Sequence, residues 1–323
     1  MRDPQFWQHE GFLAKALSPL SMAWRAGACL RKLTTTARHP GCPVFCVGNF
    51  TVGGAGKTPT AVALYELLTN LGRTPHFVSR GYGGSLDGPH RVDPTVDSAA
   101  KVGDEPLLLA RHGPAWVSRN RALGAEMAKD AGADAIILDD GLQNPSLIKD
   151  CSFAVIDSNY GIGNGRVMPA GPMRETLISG LEKVHAIILI GDETPEFIMH
   201  LPASVPVLRA SVKPTNGAEF DQCRVLAFAG IGRPSKFYDS LKQVGAHIVE
   251  TRDFPDHHPF TAEELTDLHT AAARRDARLV TTRKDLMRLP IANRDGISSL
   301  DIRLAFEKPD QLEKIVKSVL ADG

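Results

Sequence analysis

The segment PVFCVGNFTVGGAGKTP, residues 43–59, constrains the fold of this 323-residue chain more than any other stretch. An apolar run leads into a glycine-rich turn, and Lys57 and Thr58 follow where a helix is expected to begin. Glycine reaches positive φ without strain, so backbone N–H groups in such a turn can converge on an anion. A strand, an anion-binding turn and a helix in this order predict a phosphate-binding loop.

The loop departs from the strict phosphate-loop pattern at its first position, where Thr51 replaces glycine. Lys57 is predicted to bind the β- and γ-phosphates of ATP, and Thr58 to offer its hydroxyl to Mg²⁺. A glycine-rich turn with an incidental lysine is the alternative. The predicted nucleotide-binding residues are Thr51, Val52, Gly53, Gly54, Ala55, Gly56, Lys57 and Thr58.

Strand-like and helix-like segments alternate along the chain at short spacing. Most of the strand-like segments are continuous apolar runs, such as residues 135–138, which are typical of parallel strands buried on both faces. The pattern predicts a doubly wound parallel α/β sheet. A stretch rich in Pro, Gly and Ser ends near Pro214, and strands and helices alternate again after it. We therefore expect a P-loop domain over residues 1–213 and a smaller α/β domain over residues 214–323.

An amphipathic helix with a cationic face is predicted within residues 1–35. Leu20 and Trp24 fall on an apolar side, whereas Lys15 and Arg25 leave an uncharged span shorter than the ~18 to 20 residues needed to cross a bilayer. A Leu/Trp face beside a basic face suits the surface of an anionic membrane. We predict peripheral contact with lipid, and packing against the rest of the protein is the alternative.

Charge and cysteine content exclude some functions. Lys plus Arg and Asp plus Glu each number 37, so the formal net charge is zero and does not favour nucleic-acid binding. The 5 cysteines lack zinc-site spacing and predict reduced thiols in a cytosolic compartment. The sequence gives no sign of an obligate protein partner.

Two aspartates end one of the apolar runs. Asp139 and Asp140 precede Gly141, and in P-loop proteins a carboxylate at this place orders Mg²⁺. Adjacent carboxylates repel each other, so a nearby cation is expected. Solvated acids in a strand-to-loop turn are the alternative. Gln143 and Asn144 follow closely and are predicted to hydrogen-bond phosphate or sugar groups.

Two further clusters are candidates for proton transfer. Asp104 and Glu105 open a predicted helix, where an acidic pair is often a cap. A kinase also needs a group that takes the proton of the acceptor hydroxyl, and a carboxylate is the usual one. Asp256, His257 and His258 are spaced unlike a zinc site. A histidine paired with a carboxylate is the functional interpretation, and a structural loop is the alternative.

Arginine is a favoured phosphate ligand because its planar fork binds two oxygens at once. An isolated arginine is nevertheless more often solvated at the protein surface. The candidates in this sequence are Arg119, Arg121, Arg166 and Arg174.

The motifs TVGGAGKTP, SRGYGG, VGDEP, ILDDGLQ, GPMRE, FPDHHPF and TTRKD occur in this order. Together they resemble the tetraacyldisaccharide 4′-kinases of Gram-negative bacteria, from about the N-terminal helix to Asp285. The resemblance implies transfer of the ATP γ-phosphate to the 4′-hydroxyl of an acylated glucosamine disaccharide 1-phosphate, a lipid A precursor. It also implies a peripheral enzyme at the cytoplasmic face of the inner membrane.

The resemblance further implies roles for individual residues. Asp104 is expected to be the base, assisted by His257, with Lys57 as the third catalytic residue; adjacency to Asp256 favours His257 over His258. The expected Mg²⁺ ligands are Thr58, Glu105, Asp139 and Asp140. The expected acceptor-binding residues are Arg80, Tyr82, Arg119, Gln143, Asn144, Arg174 and Glu175. Two positions depart from the family pattern, which commonly has histidine at Asn144 and an acid at Arg283.

A regulatory ATPase or GTPase switch of the partitioning or metal-insertion type is the alternative function. Such switches also use a variant glycine loop, but they usually carry lysine at its second position, which is Val52 here. They also need no membrane-lying helix. Transfer of labelled phosphate to lipid, rather than to water, distinguishes the two functions.

Overall fold

The computed structural model describes residues 4–322, and within them the strands form one nine-stranded and one four-stranded sheet. The strands are β1 (Val44–Gly48), β2 (Pro75–Ser79), β3 (His90–Arg91), β4 (Ala115–Val117), β5 (Ala135–Asp139), β6 (Cys151–Asp157), β7 (Ala186–Ile190), β8 (Val207–Pro214), β9 (Arg224–Ala229), β10 (His247–Asp253), β11 (Arg278–Thr282), β12 (Ile297–Leu300) and β13 (Ile302–Phe306). The helices are α1 (Phe12–Thr34), α2 (Lys57–Asn70), α3 (Ala99–Val102), α4 (Asp104–Leu109), α5 (Arg121–Asp130), α6 (Leu177–Leu181), α7 (Pro234–Gln243), α8 (Ala262–Arg274), α9 (Arg283–Arg288) and α10 (Pro309–Asp322). Short 3₁₀ turns cover Gln5–Trp7, Glu196–His200, Gly217–Phe220 and Ile291–Asn293.

The large sheet has the order β13-β8-β7-β6-β1-β5-β2-β4-β3. The strands from β8 to β4 all run parallel, and the edge strands β13 and β3 are antiparallel. β1 lies between β5 and β6, so the strand order reverses beside it. Ligands of open α/β sheets bind at such a reversal, outside the carboxyl ends of the strands.

Alternate residues of the inner strands pack on opposite faces of the large sheet. Phe45 of β1 packs in the same cluster as Leu64 of α2, whereas Val44 packs in the same cluster as Ala125 of α5. Both faces are therefore covered by helices, which explains why the strands are apolar throughout. The predicted fold class, a doubly wound parallel α/β sheet, is confirmed.

The small sheet is parallel, with the order β10-β9-β11-β12. Residues 300–306 divide between two sheets. β12 ends at Leu300, and β13 returns to the large sheet, where Ile302 lies opposite Pro214 of β8. The division of the chain into domains at residues 213 and 214 stays a prediction. The pairing of β13 with β8 shows that the C-terminal part of the chain also contributes a strand to the large sheet.

The predicted N-terminal helix is α1, which runs without a break through Pro19. Small and polar side chains dock it on the body of the protein. Ser21 Oγ donates a hydrogen bond to Val167 O at 2.6 Å, and Arg166 Nη1 donates one to Ser18 Oγ at 2.8 Å. Only a narrow stripe of α1, which includes Ala14 and Ser21, is therefore buried against the rest of the protein.

The large apolar side chains of α1 lie outside that stripe. Those exposed to solvent are Phe12, Leu13, Leu20, Met22, Trp24, Leu30 and Leu33. Within the described residues, no helix is both long enough and apolar enough to span a bilayer.

Candidate active site

The predicted phosphate loop follows β1 and ends at α2. Gly53 and Gly56 have φ of 103° and 92°, as the sequence pattern requires. A Cβ at Gly56 would lie 2.5 Å from Ile190 Cδ1, so a side chain is excluded there. Lys57 is buried and its Nζ donates to Gly53 O at 3.4 Å, which folds the lysine back over the loop. The loop thus has the shape of an anion site.

The first two residues of the loop are held by a neighbouring segment. Thr51 forms a β-bridge with Met173, and Val52 N donates to Pro172 O at 2.9 Å. Thr51 is therefore extended, and an extended position does not need glycine. This pairing explains the departure from the strict pattern, and the backbone N–H of Val52 is engaged by protein.

Asp139 is buried at the end of β5, with 1% of its surface exposed. Neither carboxylate oxygen has a hydrogen-bond partner among the described residues. Burial, followed by the negative charge of Glu105, raises the pKa of the Asp139 carboxyl, although Lys57 opposes the shift. An isolated buried carboxylate of this kind is suited to a hard cation.

Asp140, the next residue, lies in a different electrostatic environment. Its φ is 53°, and its oxygens accept from Arg174 Nη1 at 2.7 Å and Nη2 at 3.1 Å. Lys57 Nζ lies 3.9 Å away. Burial opposes ionisation, but the charges of Lys57 and Arg174 hold the pKa of Asp140 below its usual range.

The oxygen donors at this place fit Mg²⁺. Asp139 offers two unengaged carboxylate oxygens, and the buried Thr58 hydroxyl lies at the start of α2. Mg²⁺ binds proteins through one or two carboxylates and completes its shell with water and substrate phosphates. Among residues 4–322 no group of three or more His, Cys, Asp or Glu is arranged as a metal site.

Three of the predicted acceptor-binding residues form one cluster around Asp140. Arg174 Nη1 donates to Gln143 Oε1 at 3.2 Å, and Gln143 Nε2 donates to Glu175 Oε1 and to Asn49 O, both at 3.0 Å. Arg174 binds the Asp140 carboxylate directly, and Gln143 and Glu175 extend the hydrogen-bond network behind Arg174. Direct contact with an acceptor stays a prediction.

The remaining predicted acceptor residues are dispersed. Asn144 Oδ1 accepts from Ser146 N at 2.9 Å and shapes a local turn. Arg119 pairs with Asp87 at 2.9 Å, with both side chains largely in solvent. Arg80 is exposed after β2.

Arg121, one of the four candidate phosphate-binding arginines, is a buried residue, whereas Arg119 and Asn120 beside it are exposed. It begins α5, is only 7% exposed, and its Nε has no hydrogen-bond partner in the described part of the chain. Burial and the positive charge of Arg80 lower the pKa of Arg121 to about 10. A buried guanidinium with an unengaged N–H is suited to an anion.

The predicted base lies where the two sheets meet. Asp104 is buried at the start of α4, and its Oδ2 lies 3.2 Å from His257 Nδ1. His257 has φ of 60° and donates its backbone N–H to Gly230 O at 3.1 Å. His258 turns away, with Nε2 2.9 Å from Glu264. The geometry thus favours His257 as the partner of Asp104.

Cations from α9, which were not predicted, complete this cluster. Arg288 Nη2 lies 2.6 Å and Lys284 Nζ 3.7 Å from Asp104 Oδ2. Burial opposes ionisation of Asp104, but the His257 hydrogen bond and the two cations hold its pKa well below the usual range. Lys284 Nζ also donates to Glu105 Oε1 at 3.1 Å, so the predicted Mg²⁺ ligand Glu105 is engaged in an ion pair here.

The remaining motif, SRGYGG, packs against the same cluster. The Tyr82 ring meets the His257 ring edge-on at 5.6 Å. A Cβ on Gly103, which precedes Asp104, would lie 2.6 Å from Tyr82 O. Glu105, the residue after Asp104, and Lys57 of the phosphate loop both influence the pKa of the Asp139 carboxyl: the charge of Glu105 raises it and that of Lys57 lowers it.

Comparison with known proteins agrees with this geometry. The model of the family described as tetraacyldisaccharide-1-P 4′-kinase matches residues 13–321. A relative from Rhodospirillum centenum is 46% identical over 99% of this chain and 97% of its own length. One from Methylobacterium radiotolerans is 48% identical over 99% of both chains. Both are named tetraacyldisaccharide 4′-kinase.

A solved structure shares the fold. LpxK from Aquifex aeolicus, crystallised in complex with ATP, superposes with a TM-score of 0.75 at 25% identity, over 95% of this chain and 99% of that chain. These comparisons favour the kinase over the regulatory ATPase or GTPase switch. The chain belongs to the tetraacyldisaccharide 4′-kinase family and is an ATP-dependent kinase that phosphorylates a hydroxyl group.

Proposed function

We propose that the chain phosphorylates the 4′-hydroxyl of an acylated glucosamine disaccharide 1-phosphate at the cytoplasmic face of the inner membrane. The observation that carries the proposal is the contact of Asp104 with His257, 3.2 Å apart, in a chain that also has a phosphate loop. A carboxylate and histidine pair can accept the proton of an alcohol, which a phosphate-binding loop alone cannot do.

In the proposed reaction the acceptor 4′-oxygen attacks the γ-phosphorus of ATP. The bond between that phosphorus and the β–γ bridging oxygen breaks, ADP leaves, and the hydroxyl proton passes to the pair of Asp104 and His257. Lys57 and the loop N–H groups bind the phosphates. Most of the rate then comes from positioning and charge neutralisation.

Asp139 and the Thr58 hydroxyl would hold Mg²⁺, with Asp140 beside them. The cation, when bound, neutralises negative charge on the ATP phosphates. Asp140 is fixed by Arg174, which in turn contacts Gln143. Glu105 remains a proposed ligand and would exchange its ion pair with Lys284 for that role.

Anionic groups of the acceptor or of ATP fit a cationic region at the start of α5. Arg121 contributes a buried guanidinium with an unengaged Nε, and Arg80 lies near enough to lower its pKa. Tyr82 follows Arg80 by two residues and contacts His257. We propose that Arg80, Tyr82 and Arg121 bind the acceptor there.

The exposed apolar side chains of α1 are the proposed membrane contact. Changing both Leu30 and Leu33 to glutamate should lower binding to anionic phospholipid vesicles about tenfold or more, because each buried leucine contributes roughly 1.5–3 kcal/mol. Cosedimentation with the vesicles measures the effect. Ile178 and Met199, which are also exposed, provide a matched double glutamate control. Equal loss of binding in both variants would remove α1 as the specific contact.

A transfer assay tests the proposed reaction directly. Protein is incubated with γ-labelled ATP, Mg²⁺, detergent and the acylated glucosamine disaccharide 1-phosphate. We expect label in the lipid, and none in an acceptor whose 4′-hydroxyl is methylated. Label that appears in free phosphate alone would contradict the proposal.

A further inference from the structure

The carboxyl edge of the small sheet supplies one side of the base cluster. Gly230 follows β9, His257 lies in the loop after β10, and α9 begins directly after β11. His257 and α9 contact Asp104, which stands on α4, and Gly230 accepts hydrogen bonds from His257 and from Arg288 of α9. The carboxyl ends of the strands of the small sheet therefore present polar groups to the proposed base.

Arg288 of α9 connects these groups. Its Nε donates to Asp104 Oδ2 at 2.8 Å, and its Nη1 donates to Gly230 O at 2.6 Å. Nη1 also contacts Asp285 Oδ1 at 2.5 Å. One guanidinium thus joins a carboxylate of the large-sheet layer to two groups of the small-sheet layer, and both of its carboxylate partners are buried.

Asp285 is fixed from several directions. It is fully buried, and its Oδ2 accepts from Gly230 N at 3.1 Å and from Thr282 Oγ1 at 2.7 Å. Asp285 therefore holds the guanidinium of Arg288 in a fixed orientation. Lys284 contacts Asp104 Oδ2 from the same helix, but at 3.7 Å and with a flexible stem.

We propose that Arg288, held by Asp285, is a positioning residue that fixes the Asp104 carboxylate for proton transfer from the acceptor hydroxyl. Donors from His257 and Arg288 crowd Oδ2 of Asp104. Within the described chain Oδ1 accepts only the Glu105 N–H, at 3.0 Å. The carboxylate therefore cannot rotate, and Oδ1 is the oxygen with a lone pair left for the acceptor proton.

The inference rests on the proposed role of Asp104 as base and adds the residue that orients it. Asp104 and His257 come from different sheets, so their contact depends on how the sheets dock. A guanidinium bonded to both sides fixes that docking at the reacting group. Misplacement of a reacting group by about 1 Å can lower a rate about 10²-fold.

Steady-state kinetics of the full-length protein in detergent test the inference. Arg288→Lys keeps the positive charge but cannot bond Asp104, Asp285 and Gly230 together, and we expect kcat to fall about tenfold. Arg288→Met should lower kcat about 100-fold. The KM values for ATP and for the acceptor should stay within about threefold, because no substrate contact is removed.

Arg283→Met is the matched control, because Arg283 belongs to the same helix and pairs with Asp301 away from the base. It should keep kcat within about threefold of wild type. The inference is overturned if Arg288→Lys keeps wild-type kcat, if the loss appears in KM instead, or if Arg283→Met loses as much. Should Arg288→Met not fold, Arg288→Lys decides. Failure of the proposed base itself would look different, since an Asp104 variant would then keep its turnover.

Discussion

Replacing Asp104 with alanine should lower kcat about 10²–10⁴-fold, the range for loss of a general base, and leave the Kd for ATP nearly unchanged. The carboxylate lies against His257 and takes no part in the phosphate loop. Asp104→Asn keeps the shape of the side chain and should lose a similar factor, because an amide cannot accept the proton. Turnover of labelled acceptor and equilibrium binding of ATP measure the two effects.

A matched control distinguishes this loss from damage to the fold. Asp97 is also buried and also pairs with two basic groups, Lys101 at 2.6 Å and His90 at 2.7 Å. Asp97→Asn should lower the thermal midpoint as Asp104→Asn does, yet keep kcat. Wild-type turnover by Asp104→Ala would exclude Asp104 as the base.

Replacing Asp139 with asparagine should have opposite effects on activity and on stability. Turnover should fall about 10²-fold or more, because a Mg²⁺ ligand is lost and the cation contributes several kcal/mol to charge stabilisation. The unfolding midpoint without metal should nevertheless rise by about 2–4 °C, the shift produced by about 1 kcal/mol. The reason is that the Asp139 oxygens are buried without a hydrogen-bond partner in the described structure.

Asp157 provides the control for the stability effect. It ends β6 as Asp139 ends β5, and it is also buried, but it pairs with Arg233 at 2.6 Å and with Lys236. Asp157→Asn should therefore lower the midpoint, since it leaves two cations without their partner. Thermal unfolding in EDTA compares the variants. If the unfolding midpoint of Asp139→Asn also fell, the prediction would be wrong, because the Asp139 carboxyl would then stabilise the metal-free protein.

The sheet could be predicted from the sequence because its signals are local. Uninterrupted apolar runs specify buried parallel strands, and the glycine turn before Lys57 specifies the loop between strand and helix. The pairing of β13 with β8 of the large sheet was not predictable from such local signals. Residues 300–306 resemble one strand, and only pairing with β8 divides them at Asp301.

The site was predictable only in part, for the same reason. Arg288 lies 184 residues from Asp104 along the chain, and no local pattern indicates that contact. Arg121 stands at a helix start, where arginine is usually solvated, so its burial depends on tertiary packing. Arg174 was predicted to bind the acceptor, and its observed contact is with Asp140.

Arg174 also links the two ends of the proposed reaction path. Its backbone oxygen accepts the indole N–H of Trp24 at 3.2 Å, while its side chain binds Asp140. With α1 lying on a lipid surface as proposed, Arg174 and the neighbouring contacts of Arg166 and Val167 with α1 set the height of the phosphate loop above the bilayer. A sugar headgroup would then meet ATP at a fixed elevation, whatever the length of the acyl chains below it.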